Sequence, residues 1–396
     1  MNRYDTIAGV IVIKVPRKFG EGHLRIILTE VRTKHGLSVI RNLGRRGLHL
    51  ICSDHMLNPS FSSKYCSECF IYSKEKFLED LKCAIRKHRA NALIPIGYES
   101  TILTSMNKEE LQAELEYEIP VVPWETMSKV VNKEKLLDIS DRIGVSPPRT
   151  RIFSDVNGLE EIEKYPVVVK STSEKTGLKK VEYANSKNEL REILSRRVKV
   201  GKQIVQEYVR GFGAAFFALY WRGRMKVYFM HRRVREYPYY GGVSSCAESY
   251  WHEDLLRRGK RLLDHLNWHG IAMVEFRFDL DDEEFKLMEL NPKFWGSLDL
   301  AIESGVEFPY LLTKCMGGEE IRQPRYRFKK FQWLLSEDVW RIRTSPNPLE
   351  SAKEMLTDLL DFSTEKDLKY IGEDPLPTIG RAIYTLMGLI GGKSFG

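Results

Sequence analysis

The segment Met273 to Ser297, MVEFRFDLDDEEFKLMELNPKFWGS, limits the fold of this chain more than any other. MVEFRFD and FKLMEL each alternate apolar with charged residues, and the acidic run Asp281 to Glu284 between them supplies turn chemistry, so the segment predicts an antiparallel β-hairpin. A turn centred near Asp282 sets Glu275 opposite Glu289 and leaves Asn291, two residues on, facing the same way. Opposed side chains on antiparallel strands lie about 4.5–5.5 Å apart, and two carboxylates that close repel unless a cation or a proton intervenes. Two carboxylates and an amide oxygen on one face predict a hard-cation site. Mg²⁺ suits it, because that ion takes few protein carboxylates and completes its shell with water and phosphate; Mn²⁺ is the alternative. A slip of one residue in register would separate the set. Met288, Leu290, Phe294 and Trp295 make the flanks too apolar for a wholly solvated hairpin.

A chain of 396 residues, 42% hydrophobic and 29% charged, is long enough for two or three domains with cores of their own. Its net charge of +8 does not require nucleic acid, because Lys and Arg are spread through amphipathic segments beside 54 acidic residues. An anionic small molecule accounts for the excess, and no nucleic-acid partner is expected. No apolar run reaches the roughly 18 residues of a membrane span, and the start MNRYD is too polar for a signal peptide, so a cytoplasmic location is expected. The six cysteines have no framework spacing, and Cys66 and Cys69 form a lone C-x-x-C, which predicts inert thiols rather than zinc. His231, His265 and His269 lack ligand spacing and predict core or surface roles.

Short buried strands at Arg25 to Thr29, Leu48 to Cys52 and Ala92 to Ile96 alternate with helices at Lys34 to Leu43 and Lys74 to His88, an α/β pattern that predicts a parallel sheet. Val10 to Val15 predicts an additional strand or hairpin. Pro120 to Pro123 marks a boundary. Beyond it the pattern is α+β: a helix from Ser128 to Ile143, strands at Pro166 to Lys170 and Lys202 to Tyr208 around a helix at Lys187 to Ser195, strands through Ala214 to Tyr220 and Arg224 to His231, and a helix at Glu253 to Leu266 leading into the hairpin. A helix at Leu298 to Ser304 follows. From about Glu319 the chain is basic and aromatic (YRFKKFQW), then charged and helical. Its tail segment, Ile379 to Ile390, is apolar but too short to cross a bilayer; packing on the body, pairing with another subunit and contact with a membrane surface all stay open.

In the hairpin residues the chain resembles the ATP-grasp superfamily, whose E-x-N-P-type motif matches Glu289, Asn291 and Pro292, with Glu275 as the strand glutamate. The likeness runs from about Leu24 to Gly317. It implies an N-terminal Rossmann-like domain (1–121), a two-subdomain ATP-grasp domain (122–318) and a C-terminal helical extension (319–396). It also implies ATP and Mg²⁺ as cofactors, with the ion on Glu275, Glu289 and Asn291. Lys133 in NKEKLL and Lys170 closing YPVVVK resemble the lysines that meet nucleotide phosphates, and a lysine ending a buried strand is a fixed point charge. VQEYVRG resembles the strand that reads adenine, which implies Gln206, Glu207 and Val209. Ser171 to Lys180, with Gly177 as its one glycine, departs from the glycine-rich phosphate loop of many relatives. HRRVREYPYYGGVSS predicts a mobile basic clamp, with Arg232 and Arg235 on phosphate or carboxylate. Lys293 stands where many relatives have arginine after N-P, which keeps the charge and loses the planar fork.

The implied reaction is ATP-dependent ligation of a small-molecule carboxylate to an amine through an acyl phosphate, and the ending MELNPKFWGSLDLAIESGVEFP looks most like carboxylate-amine ligases. Two competing expectations use the same site: a kinase-like or carboxylating enzyme, and a non-catalytic nucleotide-binding scaffold. Many relatives are dimers, which makes a homodimer one expectation and leaves the oligomeric state open.

Overall fold

The computed structural model of the chain describes residues 4–7, 10–14, 24–172, 181–239 and 241–391. The first part contains β1 (Tyr4–Ile7), β2 (Val10–Lys14), β3 (Arg25–Thr29), α1 (Lys34–Gly44), β4 (His49–Asp54), β5 (Glu68–Ile71), α2 (Phe77–His88), β6 (Ala92–Pro95), α3 (Tyr98–Met106) and α4 (Lys108–Gln112). Its strands form one sheet in the order β1-β2-β5-β4-β3-β6. β3 lies parallel to β4 and β6, and β4 parallel to β5, while the β1–β2 hairpin joins antiparallel through β2. Ile26, Ile27, Leu28, Leu50 and Ile51 are fully buried, as strands covered on both faces require. β5 was not legible in the sequence, since a four-residue strand opening on a glutamate has no apolar period. Glu68 is tolerated there because Arg25 (2.9 Å), His49 (2.8 Å) and His88 (2.6 Å) all meet its carboxylate.

Where one helix was expected from 128 to 143, two occur: α5 (Trp124–Val131) and α6 (Lys133–Arg142). Asn132 makes the break. Its backbone is extended and its side chain caps α6 by accepting from the Lys135 N–H at 3.1 Å, which places Lys133 at the first helical position. β7 (Thr150–Phe153), β8 (Val167–Ser171), β9 (Val181–Ala184), α7 (Lys187–Arg197) and β10 (Gln203–Glu207) follow. They build a four-stranded antiparallel sheet, β7-β10-β8-β9. Val167, Val169, Ala184 and Val205 bury one face against Leu190 and Leu194 of α7. By the alternation of a strand, Lys170 and Gln206 stand on the other.

The remainder comprises β11 (Gly211–Trp221), β12 (Arg224–Tyr237), β13 (Val243–Ser249), α8 (Glu253–His265), β14 (Gly270–Asp279), β15 (Glu284–Asn291), α9 (Leu298–Glu303), α10 (Phe308–Met316), β16 (Lys330–Gln332), α11 (Val339–Thr344), α12 (Pro348–Leu360), β17 (Thr364–Lys366), α13 (Tyr370–Glu373) and α14 (Pro375–Gly391). A seven-stranded sheet runs β15-β14-β11-β12-β13-β16-β17. One face, with Ala214, Phe216, Ala218, Phe276 and Leu287, packs on Leu255, Leu262 and Leu263 of α8. Gly259 permits that approach: a Cβ there would lie 2.3 Å from the Phe216 ring. On the other face Phe217, Phe229 and Met273 join Trp295, Leu298 and Phe308 in one core with Ile26, Leu28 and Ile40.

The segment after 319, expected as a helical extension, also supplies β16 and β17 to this sheet, and Phe331 and Trp333 of YRFKKFQW are buried in its core. In α14, Ile379, Ile383, Leu386 and Met387 are exposed, whereas Thr378 is buried and hydrogen-bonded to Arg41 of α1 at 2.6 Å. Among the described residues, no helix is long and apolar enough to cross a membrane.

Candidate active site

The two antiparallel sheets meet at Tyr208 to Arg210, the three residues between β10 and β11, and the cleft they form holds the hairpin carboxylates. Glu275 pairs with Glu289 and Met273 with Asn291, which puts all three candidate ligands on one face. The register shifts once, between Glu275 and Phe276, because Phe276 pairs with Leu287 and Met288 is an extra residue on β15. The turn is therefore centred half a residue earlier than the sequence suggests, and the bulge restores the pairing. Without it Glu275 would face Met288, and Glu289 would turn to the α8 side.

The two carboxylates differ in environment. Burial pushes Glu275 up, and Glu289 pushes it further, against the pull of Arg233, whose Nη2 lies 2.7 Å from Glu275 Oε1. Burial acts on Glu289 in the same sense but is outweighed by Lys133, by the Asn291 amide donating at 2.6 Å, by Lys170 and by Lys293, so this group is held below the usual carboxylate range. Two carboxylates this close repel one another, which a divalent cation between them relieves. Among the described residues no group of three or more His, Cys, Asp or Glu is assembled for a metal. Two carboxylates and an amide fit Mg²⁺, whose remaining ligands come from phosphate and water.

Cations surround the pair. Lys170 reaches in from the four-stranded sheet, donating to Gln206 Oε1 at 3.0 Å, while Gln206 donates to Thr150 Oγ1 at 2.9 Å. Burial lowers the Lys170 ammonium to about 8, with Glu289 opposing and Lys133 adding to the fall. Arg233, buried on β12, is held by Glu275 and by Glu236 at 3.0 Å. Arg277 donates to the carbonyls of Val209 (3.2 Å) and Gly211 (2.6 Å), pinning the crossing between the sheets to β14. Glu207 holds the neighbouring loop by accepting from the Arg149 backbone N–H (2.8 Å) and Nε (2.5 Å).

The structure thus brings together Glu275, Glu289, Asn291, Lys133, Lys170, Gln206 and Lys293, with Glu207 and Val209 at the crossing. Arg232 and Arg235 are not part of the group. HRRVREY is the end of strand β12, and VSS opens β13. Arg232 points to the opposite face, exposed, pairing with Glu248 and lying near the rings of Phe212 and Tyr250. Arg235 would share the face of Arg233 in an unbroken strand, but the register shifts between them, with Val234 unpaired. Arg235 is buried on Asp338 (2.6 Å) and Asp358 instead. The residues missed were Arg233 and Arg277; Arg277 alternates with Glu275 in MVEFRFD and was legible there. Ser171 and Thr172 are engaged with Gln203 (3.3 Å) and the Lys202 carbonyl (3.2 Å), and 173–180 lie outside the described residues. His231 is buried against Phe217, and neither ring nitrogen has a partner among the described residues.

A family model described as ATP-grasp in the biosynthetic pathway with Ter operon matches residues 201–338, the span from β10 through β16. The fold is that of the ATP-grasp superfamily. Among solved ATP-grasp neighbours, L-amino acid ligase from Bacillus licheniformis is 16% identical, with 76% of this chain and 75% of that chain covered at a TM-score of 0.57. An ADP complex of N5-carboxyaminoimidazole ribonucleotide synthetase is 14% identical over 78% and 80%, TM-score 0.63. Phosphoribosylglycinamide synthetase from Anaerococcus prevotii is 15% identical over 78% and 80%, TM-score 0.58. At such identities the likeness carries the ATP-grasp fold alone. No curated protein matches the chain.

Proposed function

We propose that the chain is an ATP-dependent ligase that joins a carboxylate to an amine. The observation that carries this reading is the meeting of Lys170 with Glu275 and Glu289 across the two-sheet cleft, where each acts electrostatically on the other. Glu275, Glu289 and Asn291 would hold Mg²⁺, which when bound neutralises phosphate oxygens. Lys170 and Lys133 bind the nucleotide phosphates as fixed charges, and Gln206, Glu207 and Val209 shape the adenine end. Arg233, rather than Arg232 or Arg235, carries the charge beside the reacting groups. A substrate carboxylate oxygen attacks the γ-phosphorus, the bridging P–O bond breaks, and ADP leaves. The amine then adds to the acyl carbon, the bond to phosphate oxygen breaks, and the amine proton passes to solvent. Catalysis of this kind is positioning and electrostatics, with no covalently modified side chain.

Calorimetric ATP binding with and without Mg²⁺ tests the site, on the wild type and on folded Glu275→Ala and Glu289→Ala variants. Mg-dependent binding lost in both supports it. Screening carboxylate and amine pairs then separates the reactions: amide and phosphate are expected, a stable phosphorylated product would indicate a kinase, and binding without turnover a scaffold.

A further inference from the structure

α1 begins at the C-terminal end of β3, facing the loop that follows Asn291. Thr33 caps it by accepting from the Gly36 N–H at 3.1 Å, and the amides of Lys34 and His35 lie in its first turn, where a helix offers no internal acceptor. His35 is only 8% exposed, and its Nε2 is buried without a hydrogen-bond partner among the described residues. After burial, the charged groups acting most strongly on its ring are all cations, Lys293, Lys34, Arg381 and Arg32, and together they keep the imidazole neutral. Two of these, Lys293 and Arg381, come from distant parts of the chain. Lys34 is paired with Glu337 at 2.8 Å and lies over the Trp333 ring. Arg32 is committed to Asp54 (2.8 Å) and Glu30 (3.0 Å). Arg381, on α14, donates to the Arg32 carbonyl at 3.2 Å. Lys293 acts on both His35 and Glu289, so this cluster adjoins the carboxylate pair.

We propose that the first turn of α1, with His35 and Lys293, forms a second pocket beside the cleft, closed from behind by Arg381 of α14, that binds an oxyanion. Its ligand is an acid group of the non-nucleotide substrate, a carboxylate or a phosphate monoester. A helix N-terminus, a buried neutral imidazole with an unused nitrogen and surrounding cations together select an anion over a neutral or cationic group. The proposal adds a substrate class to the ligase reading and rests on that reading for the reaction, not for the binding. It also gives the C-terminal segment a task, since its last helix supplies one wall.

The test titrates inorganic phosphate and, separately, acetate into the full-length protein, followed by calorimetry and by the His35 imidazole nitrogen resonances. Saturable binding of either probe is expected, with the His35 resonance moving, unchanged when a non-hydrolysable Mg-ATP analogue saturates the cleft. Arg381→Met and His35→Phe should each weaken it about tenfold or more. Phosphate alone indicates a phosphorylated substrate, acetate alone a carboxylate. Absence of saturable binding, an unmoved His35 resonance, displacement by the analogue, or binding indifferent to both variants overturns the proposal. Where a variant fails to fold, the wild-type resonance decides. Affinity for the analogue itself reports separately on the ligase reading.

Discussion

Arg233 and Glu275 are joined by an ion pair of 2.7 Å across β11, between strands that are not neighbours. Ala215 and Gly213 of β11 leave the room for it, since neither has a side chain long enough to intervene. The three nearby arginines of β12 therefore have three different tasks, and substitutions should separate them. Arg233→Ala should abolish nucleotide binding in a folded protein. Arg235→Ala strips Asp338 and Asp358 of their buried partner, and should cost about 3–5 kcal/mol of stability. Arg232→Ala removes an exposed pair and should stay within about 0.5 kcal/mol of the wild type. Denaturant unfolding beside nucleotide calorimetry checks all three. Equal effects of Arg232→Ala and Arg233→Ala on binding would refute the placement.

Gly213 sets the position of Arg233 from behind. A Cβ there would lie 2.8 Å from both Arg233 Cδ and Glu236 Oε1, inside van der Waals contact. Gly213→Ala should push the guanidinium off Glu275, destabilising the fold by about 1–3 kcal/mol and weakening nucleotide affinity. Gly372→Ala is the control, because a Cβ on that α13 glycine meets nothing. Affinity measured on both variants checks the contrast; loss in the control alone would count against it.

The parts of the site that alternate along one unbroken strand could be read from the sequence, and those that depend on bulges could not. Glu275, Glu289 and Asn291 came out on one face because an assumed turn at Asp282 and the actual bulge at Met288 have the same net effect on register. On β12 the unpaired Val234 had the opposite consequence, turning Arg235 away from the face that spacing assigns it. The extra residue has no sequence signature of its own in either strand. Arg25 to Thr29 matched residue for residue because a wholly buried parallel strand needs only an apolar run. The electrostatic influence of Lys293 and Arg381 on His35 was not legible, since proximity of residues hundreds of positions apart follows from packing and not from local pattern.

Asp367 should make stability depend on pH. Its carboxyl, which accepts from the Leu334 and Leu335 amides at 3.1 Å each, is pushed up to about 7 by burial, with Glu337 and Asp299 adding to the rise against the Leu335 hydrogen bond and Lys34. An unfolded aspartate titrates near 3.9. Between those values the folded protein keeps a proton that the unfolded chain releases, so stability falls as pH rises through the window. Asp367→Asn should flatten that fall, and the wild-type and variant differences between about pH 4 and about pH 8 should diverge by about 1–3 kcal/mol. Parallel unfolding curves across this range would remove Asp367 as the cause.

Lys170 gives the corresponding dependence for binding. Its ammonium, lowered to about 8 by burial, is charged below that pH and neutral above it. A lysine that meets phosphate must be protonated in the complex, so binding above pH 8 draws in a proton, and apparent affinity for nucleotide declines as pH climbs through about 8. Below that value the site is already charged and affinity levels off. Lys170→Arg keeps the charge at every accessible pH, since guanidinium does not titrate there, and replaces a compact ammonium with a larger fork. It should bind more weakly than the wild type at pH 7 and show no decline toward pH 9, whereas Lys170→Met should bind weakly and without pH dependence. Calorimetry in two buffers of different ionisation enthalpy counts the proton directly: uptake is expected at pH 9 and little at pH 7. Equal proton uptake at both values in the wild type, or a decline that persists in Lys170→Arg, would place the titrating group elsewhere in the cleft.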